Sequence, residues 1–324
     1  MTLDEFIVSA NNYGERGAPF FFLIDFELNR PVIIKLDEAA HHDILYDIGT
    51  KTNCQIEAPV LRQPELHVYP KPFAEYEKAF EFVMENILAG NSYLLNLTTP
   101  TKIASNLSLL NLFYQARAPY KLYFKDQFVV FSPECFVRTK EEHIYSYPMK
   151  GTIDAELPNA REQLLENEKE KWEHNTIIDL IRNDLAIISK NISVTKLRFI
   201  TEIHTNKTNL LQLSSEIRGE LPNNWQKNIG DILIKLLPAG SISGAPKQKT
   251  VEIIKAAEKI NRDYFTGVFG VFDGKNIDSA VNIRFIEQTG ENGLQFRSGG
   301  GVTANSEPHN EYNEMLNKIY VPVG

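Results

Sequence analysis

The stretch Val268-Phe-Gly-Val-Phe-Asp-Gly-Lys-Asn-Ile277 decides the fold class, because a tight turn joins its two apolar runs. Residues 268–272 and 277–287 read as strands, and Asp273-Gly-Lys-Asn276 places a glycine where positive φ is tolerated. Strands linked so tightly run antiparallel. Glu291-Asn-Gly293 turns the chain again, into a third strand over 294–298.

Working outward, helices and strands alternate. Phe73, Tyr76, Phe80, Val83, Met84 and Ile87 recur at helical spacing, and Gly90-Asn91 follows where a C-cap is expected. Strands are expected over 92–98, 120–124, 128–131 and 143–146, and helices over 107–116, 228–236 and 247–259, with one or two more within 160–186. Near the end, Ser306 is a candidate N-cap with Pro308 in the first turn, and Tyr312, Met315, Leu316 and Ile319 form an apolar stripe. The first 70 residues carry short β-like pieces at 19–25 and 31–35. They are expected to form a short β-rich portion packed on a larger body, residues 71–324.

Composition narrows the function. A chain of 324 residues with 43% hydrophobic and 23% charged residues suits a folded state rather than disorder. Its net charge of -8 offers no basic field for a nucleic acid or an anionic membrane. No apolar run approaches the ~20 residues of a bilayer span, and no secretory leader pattern opens the chain, so a cytoplasmic location is expected. Cys54 and Cys135 lack any Cys/His metal pattern.

Several groups could carry chemistry. Glu311, Glu314 and Lys318 share one face of the last helix, and Glu170 and Glu173 repeat that spacing on another. Two such carboxylate pairs could hold Mg²⁺, although solvated helix faces would look the same. Ser298-Gly-Gly-Gly-Val302 ends a strand with backbone amides open to an anion, or is a plain flexible turn. It matches no dinucleotide or ATP motif. Leu237-Pro-Ala-Gly-Ser-Ile-Ser-Gly-Ala-Pro-Lys247 is a second small-residue loop, leading into a helix. Lys150, within Pro148-Met-Lys-Gly-Thr152, could be a surface cation or, beside a divalent ion in a closed site, an amine of lowered pKa able to act as a nucleophile. Glu134, after the apolar run 129–131, could be a buried general acid.

Taken together, these segments resemble the chorismate-utilising enzymes: anthranilate, aminodeoxychorismate, isochorismate and salicylate synthases. The resemblance covers about residues 73–320. It rests on Ser-Pro-Glu134, Pro-Met-Lys-Gly-Thr152, Glu-Lys-Trp-Glu-His174 with Asp-Leu-Ile-Arg-Asn-Asp184, Pro-Ala-Gly-Ser-Ile-Ser-Gly-Ala-Pro-Lys247, Phe-Thr-Gly267, Asn-Ile-Arg284, Gly-Gly-Gly301 and Glu-Tyr-Asn-Glu314, in the family's order. It implies an α+β fold, a two-sheet antiparallel β core wrapped by helices, with a reduced N-terminal portion. It also implies Mg²⁺ held by Glu173 and Glu314, with Glu170 and Glu311 acting through water or as alternates. Arg284 is implied for the enolpyruvyl carboxylate, and the Gly299, Gly300 and Gly301 amides with Lys318 for the rest of an anion cradle. Ser241, Thr152 and Phe265 are implied beside the substrate. The Asp179 to Asp184 segment is given a structural role.

Lys150 divides the family. Many aminodeoxychorismate synthases carry lysine there, whereas the other synthases usually carry alanine. The resemblance therefore implies amination of chorismate to 4-amino-4-deoxychorismate through a covalent Lys150 intermediate, with Glu134 as the acid. Ammonia would come from a separate glutamine amidotransferase subunit, because neither cysteine lies in a Gly-x-Cys-x-Gly setting. Leu94 stands where isochorismate and salicylate synthases have a water-activating lysine. Gln212 replaces a family histidine tied to pyruvate elimination, and Phe265 replaces a tyrosine, leaving open whether Tyr264 supplies the phenol. Anthranilate synthase component I and a non-catalytic chorismate-binding subunit are the alternatives.

Overall fold

The computed structural model describes residues 1–49, 51–54, 62–203, 209–290 and 293–323. Two nine-stranded sheets dominate it. The first runs in the order Met149–Asp154, Leu210–Glu220, His143–Ser146, Cys135–Lys140, Ile277–Val281, Val268–Phe272, Phe20–Ile24, Val32–Lys35, with Lys190–Ile203 also paired to Leu210–Glu220. The second runs Gly244–Ala245, Leu94–Ser105, Gly293–Val302, Phe285–Thr289, Phe128–Ser132, Tyr120–Phe124, Ile44–Ile48, Lys51–Thr52, with Leu66–Tyr69 also paired to Leu94–Ser105. Every pairing among the described residues is antiparallel. The expected two-sheet α+β core is present.

Phe20–Ile24 explains how the layers stack. Phe21 and Leu23 join a core with Tyr46, Val130 and Phe285 of the second sheet, while Phe20, Phe22 and Ile24 pack with residues of the surrounding helices. A strand covered on both faces needs no polar alternation, hence the unbroken apolar run. The expected N-terminal portion, residues 1–70, opens with the helix Leu3–Glu15 and then supplies strands to both sheets.

The expected strand over 277–287 is instead two strands in different sheets. Residues 282–284 form the crossover, where Ile283 N donates back to Val281 O at 2.9 Å and Arg284 adopts φ of 54°. A left-handed arginine ends strand pairing there as a glycine would. A second crossover runs the other way at Pro133 and Glu134, between Phe128–Ser132 and Cys135–Lys140. The two are stitched together: Val281 N donates to Glu134 O at 3.2 Å and Phe131 N to Arg284 O at 3.1 Å. The expected turn at 291–293 has residues 291 and 292 outside the described set. The last helix, Pro308–Asn317, has Glu307 at its N-cap, so Ser306 is not the cap.

Candidate active site

The two crossovers open onto a cavity of about 450 Å³ whose wall draws on both sheets and on two helices. Lys150 and Thr152 reach it from Met149–Asp154, and Gly299 and Gly301 from Gly293–Val302. Glu170 and Glu173 come from the helix Glu168–Ala186, whose N-cap Asn167 accepts from Glu170 N at 3.1 Å. Glu311, Glu314 and Lys318 come from the last helix and its C-cap. Glu134, Arg284, Ser241 and Phe265 complete the set, so every candidate except Gly300 lies in one wall.

The charges are interlocked. Lys150 Nζ lies 2.8 Å from Glu173 Oε2, and Lys318 Nζ lies 2.7 Å from Glu314 Oε1 and donates to Gly299 O at 3.0 Å. Burial pushes the Lys150 amine down, but the surrounding carboxylates of Glu173, Glu314 and Glu170 outweigh it and hold the group above the ordinary lysine value. The lowered pKa expected from sequence is therefore absent while those carboxylates carry uncompensated charge. Lys318 does go down, because burial, together with Arg284 and Lys150, outweighs Glu314. Burial raises Glu134 despite the opposing effects of Ser241, which donates to its Oε1, and of Arg284 and Lys318.

The glycine run divides by register. Thr98 N donates to Glu258 Oε1 and Asn96 N to Ser243 O, both away from the glycine strand. Thr98 and Asn96 face Gly299 and Gly301, so these are non-hydrogen-bonded pairs, and the amides of Gly299 and Gly301 lie on the open edge. The Gly300 amide belongs to the ladder instead, which removes it from the expected anion cradle. Its missing Cβ matters differently, since a Cβ there would lie 3.2 Å from Glu311 Oε2. Ser306 Oγ donates to the other oxygen of Glu311 at 2.7 Å.

Arg284 Nε is buried without a hydrogen-bond partner among the described residues, and its guanidinium lies 5.2 Å from the centre of the Tyr320 ring. A buried arginine donor left open in a cavity wall suits a carboxylate. Tyr264 donates to Arg30 O and packs in the core, so only Phe265 of that pair lines the cavity. Leu94 and Gln212 also line it. Sequence reasoning missed Tyr320 and Arg297, whose positions carry no local spacing signal, and gave no role to Thr266 although it lies in the Phe-Thr-Gly267 segment.

No three His, Cys, Asp or Glu side chains among the described residues converge tightly enough to hold a metal in this arrangement. The donor set nevertheless suits a hard divalent cation: all four helix groups are carboxylates, and Glu173 and Glu314 each already hold an ammonium.

This architecture has known counterparts, and residues 28–324 match the chorismate binding enzymes. The chain belongs to that family. It is 54% identical over 322 residues to a PabA-like protein of Haemophilus influenzae, covering 99% of this chain and 98% of that one. It is 31% identical over 268 residues to aminodeoxychorismate synthase component 1 of Bacillus subtilis, covering 78% of this chain and 56% of that one. Among solved structures, anthranilate synthase component I of Streptococcus pneumoniae superposes with a TM-score of 0.67 at 25% identity, over 79% of this chain and 58% of that one. The menaquinone-specific isochorismate synthase of Escherichia coli shares the fold, with a TM-score of 0.72 at 16% identity over 98% of this chain and 81% of that one. No helix among the described residues of this chorismate-binding chain is long and apolar enough to cross a membrane.

Proposed function

We propose that the chain is the synthase component that converts chorismate and ammonia to 4-amino-4-deoxychorismate, the precursor of 4-aminobenzoate and folate. The observation that carries this reading is an amine, Lys150, in the wall of the same cavity as a half-buried carboxyl, Glu134, whose pKa is raised. Lys150 attacks C2 of the ring while Glu134 gives its proton to the departing C4 hydroxyl, which leaves as water. Ammonia then adds at C4 and expels the lysine from C2. The amine thus ends where the hydroxyl was.

Mg²⁺ would be held by Glu173 and Glu314, with Glu170 and Glu311 acting through water. When bound, it supplies positive charge for the ring carboxylate. With those glutamates neutralised, burial is left to lower the Lys150 amine. Arg284 takes the enolpyruvyl carboxylate with its open Nε, and Lys318 with the Gly299 and Gly301 amides supports a second anionic group. Leu94 provides no base for water, and Gln212 none for elimination of pyruvate.

Ammonia is expected from a glutamine amidotransferase subunit. Burial pushes the Cys135 thiol up to about 12 and raises Cys54 as well, so neither is an activated nucleophile. Incubation with chorismate, Mg²⁺ and ammonium at high pH, with products identified by mass and absorbance, tests the reading. The C4 amine is expected, and anthranilate or isochorismate as the main product would refute it.

A further inference from the structure

We infer that Asp184 is a positioning residue for the acid: its carboxylate holds the far end of the loop 240–247 through Lys247 and abuts the near end at Gly240, and that loop delivers Ser241 to Glu134. This rests on the proposed role of Glu134. Asp184 lies near the end of the helix Glu168–Ala186, whose opening turns carry Glu170 and Glu173. Its Oδ1 is 2.8 Å from Lys247 Nζ, which also donates to Leu236 O at 3.0 Å. At the near end of the loop, Gly240 lies against the same carboxylate, so that a Cβ on Gly240 would lie 2.8 Å from Asp184 Oδ2. The next residue is Ser241, whose hydroxyl donates to Glu134 Oε1. A small cavity of about 20 Å³, room for one water, has both Asp184 and Glu134 in its wall.

The clamp thus joins the helix that carries one carboxylate pair to the residue that holds the acid. The other Asp of the segment behaves differently. Asp179 pairs with Arg182 one turn away on an exposed face and fixes only its own helix.

The sign of the effect on Glu134 separates this role from simple electrostatics. The groups that act on Glu134 are Ser241, Arg284 and Lys318, each favouring its charged form. Losing the Ser241 bond raises the Glu134 pKa, whereas losing a neighbouring negative charge from Asp184 would lower it. The test compares Asp184→Asn, Ser241→Ala, the double variant and Lys247→Arg in the full chain. The Glu134 carboxyl is titrated by infrared difference spectroscopy without substrate, with Glu134→Gln to assign the band. Asp184→Asn is expected to move the titration to higher pH, in the same direction as Ser241→Ala. The double variant should move it no further than Ser241→Ala alone, and Lys247→Arg should stay near the wild type. In turnover of chorismate, kcat should fall by roughly 10- to 100-fold in Asp184→Asn with KM little changed. A downward or absent shift, or additive shifts in the double variant, overturns the proposal. The titration needs no reaction, so a failure of the clamp is separable from a wrong product assignment.

Discussion

Two ion pairs, one buried and one lining the cavity, differ in how completely their partners are satisfied. Arg262 and Glu258 are both 1% exposed. The guanidinium forks onto both carboxylate oxygens at 2.9 and 2.6 Å, donates onward to Ile242 O at 3.0 Å and Asn96 O at 2.6 Å, and lies 4.8 Å from the centre of the Phe26 ring. Glu258 also accepts from Thr98 N and Oγ1, both at 2.8 Å. Lys150 Nζ meets Glu173 Oε2 at 2.8 Å, with the lysine 23% exposed toward an open cavity. A closed, fully satisfied pair has nothing left to exchange and ties strand to loop. An amine on a flexible stem beside open space can trade its partner for substrate or metal.

The largest effect expected from this contrast is loss of chemistry without loss of fold at Lys150. Lys150→Met should lower C4 amination by ~10⁵-fold or more, as removal of a covalent nucleophile does elsewhere, while chorismate binding measured by calorimetry changes little. Near-normal amination would place the two pairs in the same structural class. Next comes Glu134→Gln, which should lower kcat by ~10²–10⁴-fold. The sign of its pH dependence follows from burial: a raised pKa keeps the proton on Glu134 above the ordinary carboxylate range, so activity falls as pH rises through that value. The variant should lose that limb of the kcat profile, and a limb that persists would assign it to another group.

Arg262→Met should do the reverse of Lys150→Met. It strands a buried carboxylate, so urea unfolding should show a loss of about 3–5 kcal/mol. A loss well under 1 kcal/mol would mean that Glu258 finds other partners or water. The smallest effect is expected from Gly300→Ala, whose methyl group would press on Glu311 at the end of a flexible side chain. The Mg²⁺ concentration giving half-maximal activity should rise ~10-fold or less, and an unchanged Mg²⁺ response would remove Glu311 from the metal's surroundings.

The sequence read well where period and turn chemistry agree. The helix Phe73–Leu88 and the hairpin at Gly274, with φ of 95°, lie where spacing places them. Lys190–Ile203 and Leu210–Glu220 escaped notice because their pairing shifts register near Asn191 and Arg198, both at positive φ, and such bulges scramble a two-residue period. Strand 277–287 looked continuous because its apolar pattern persists through a crossover made by an arginine rather than a glycine. Thr2 and Glu5 form a capping box on the helix Leu3–Glu15, a signal that was legible and unread. The candidate site was visible as residues without distances. Nothing local in the chain announces that Asp184 meets Lys247, or that Arg284 meets Tyr320, because those contacts exist only once the sheets have closed.

The covalent role of Lys150 is tested most directly by intact-protein mass spectrometry of enzyme quenched after mixing with chorismate and Mg²⁺ in the absence of ammonium. A population heavier by one chorismate less one water is predicted, with the added mass on the peptide containing Lys150 and absent from Lys150→Met. Unmodified protein, under conditions where added ammonium yields the C4 amine, would contradict it.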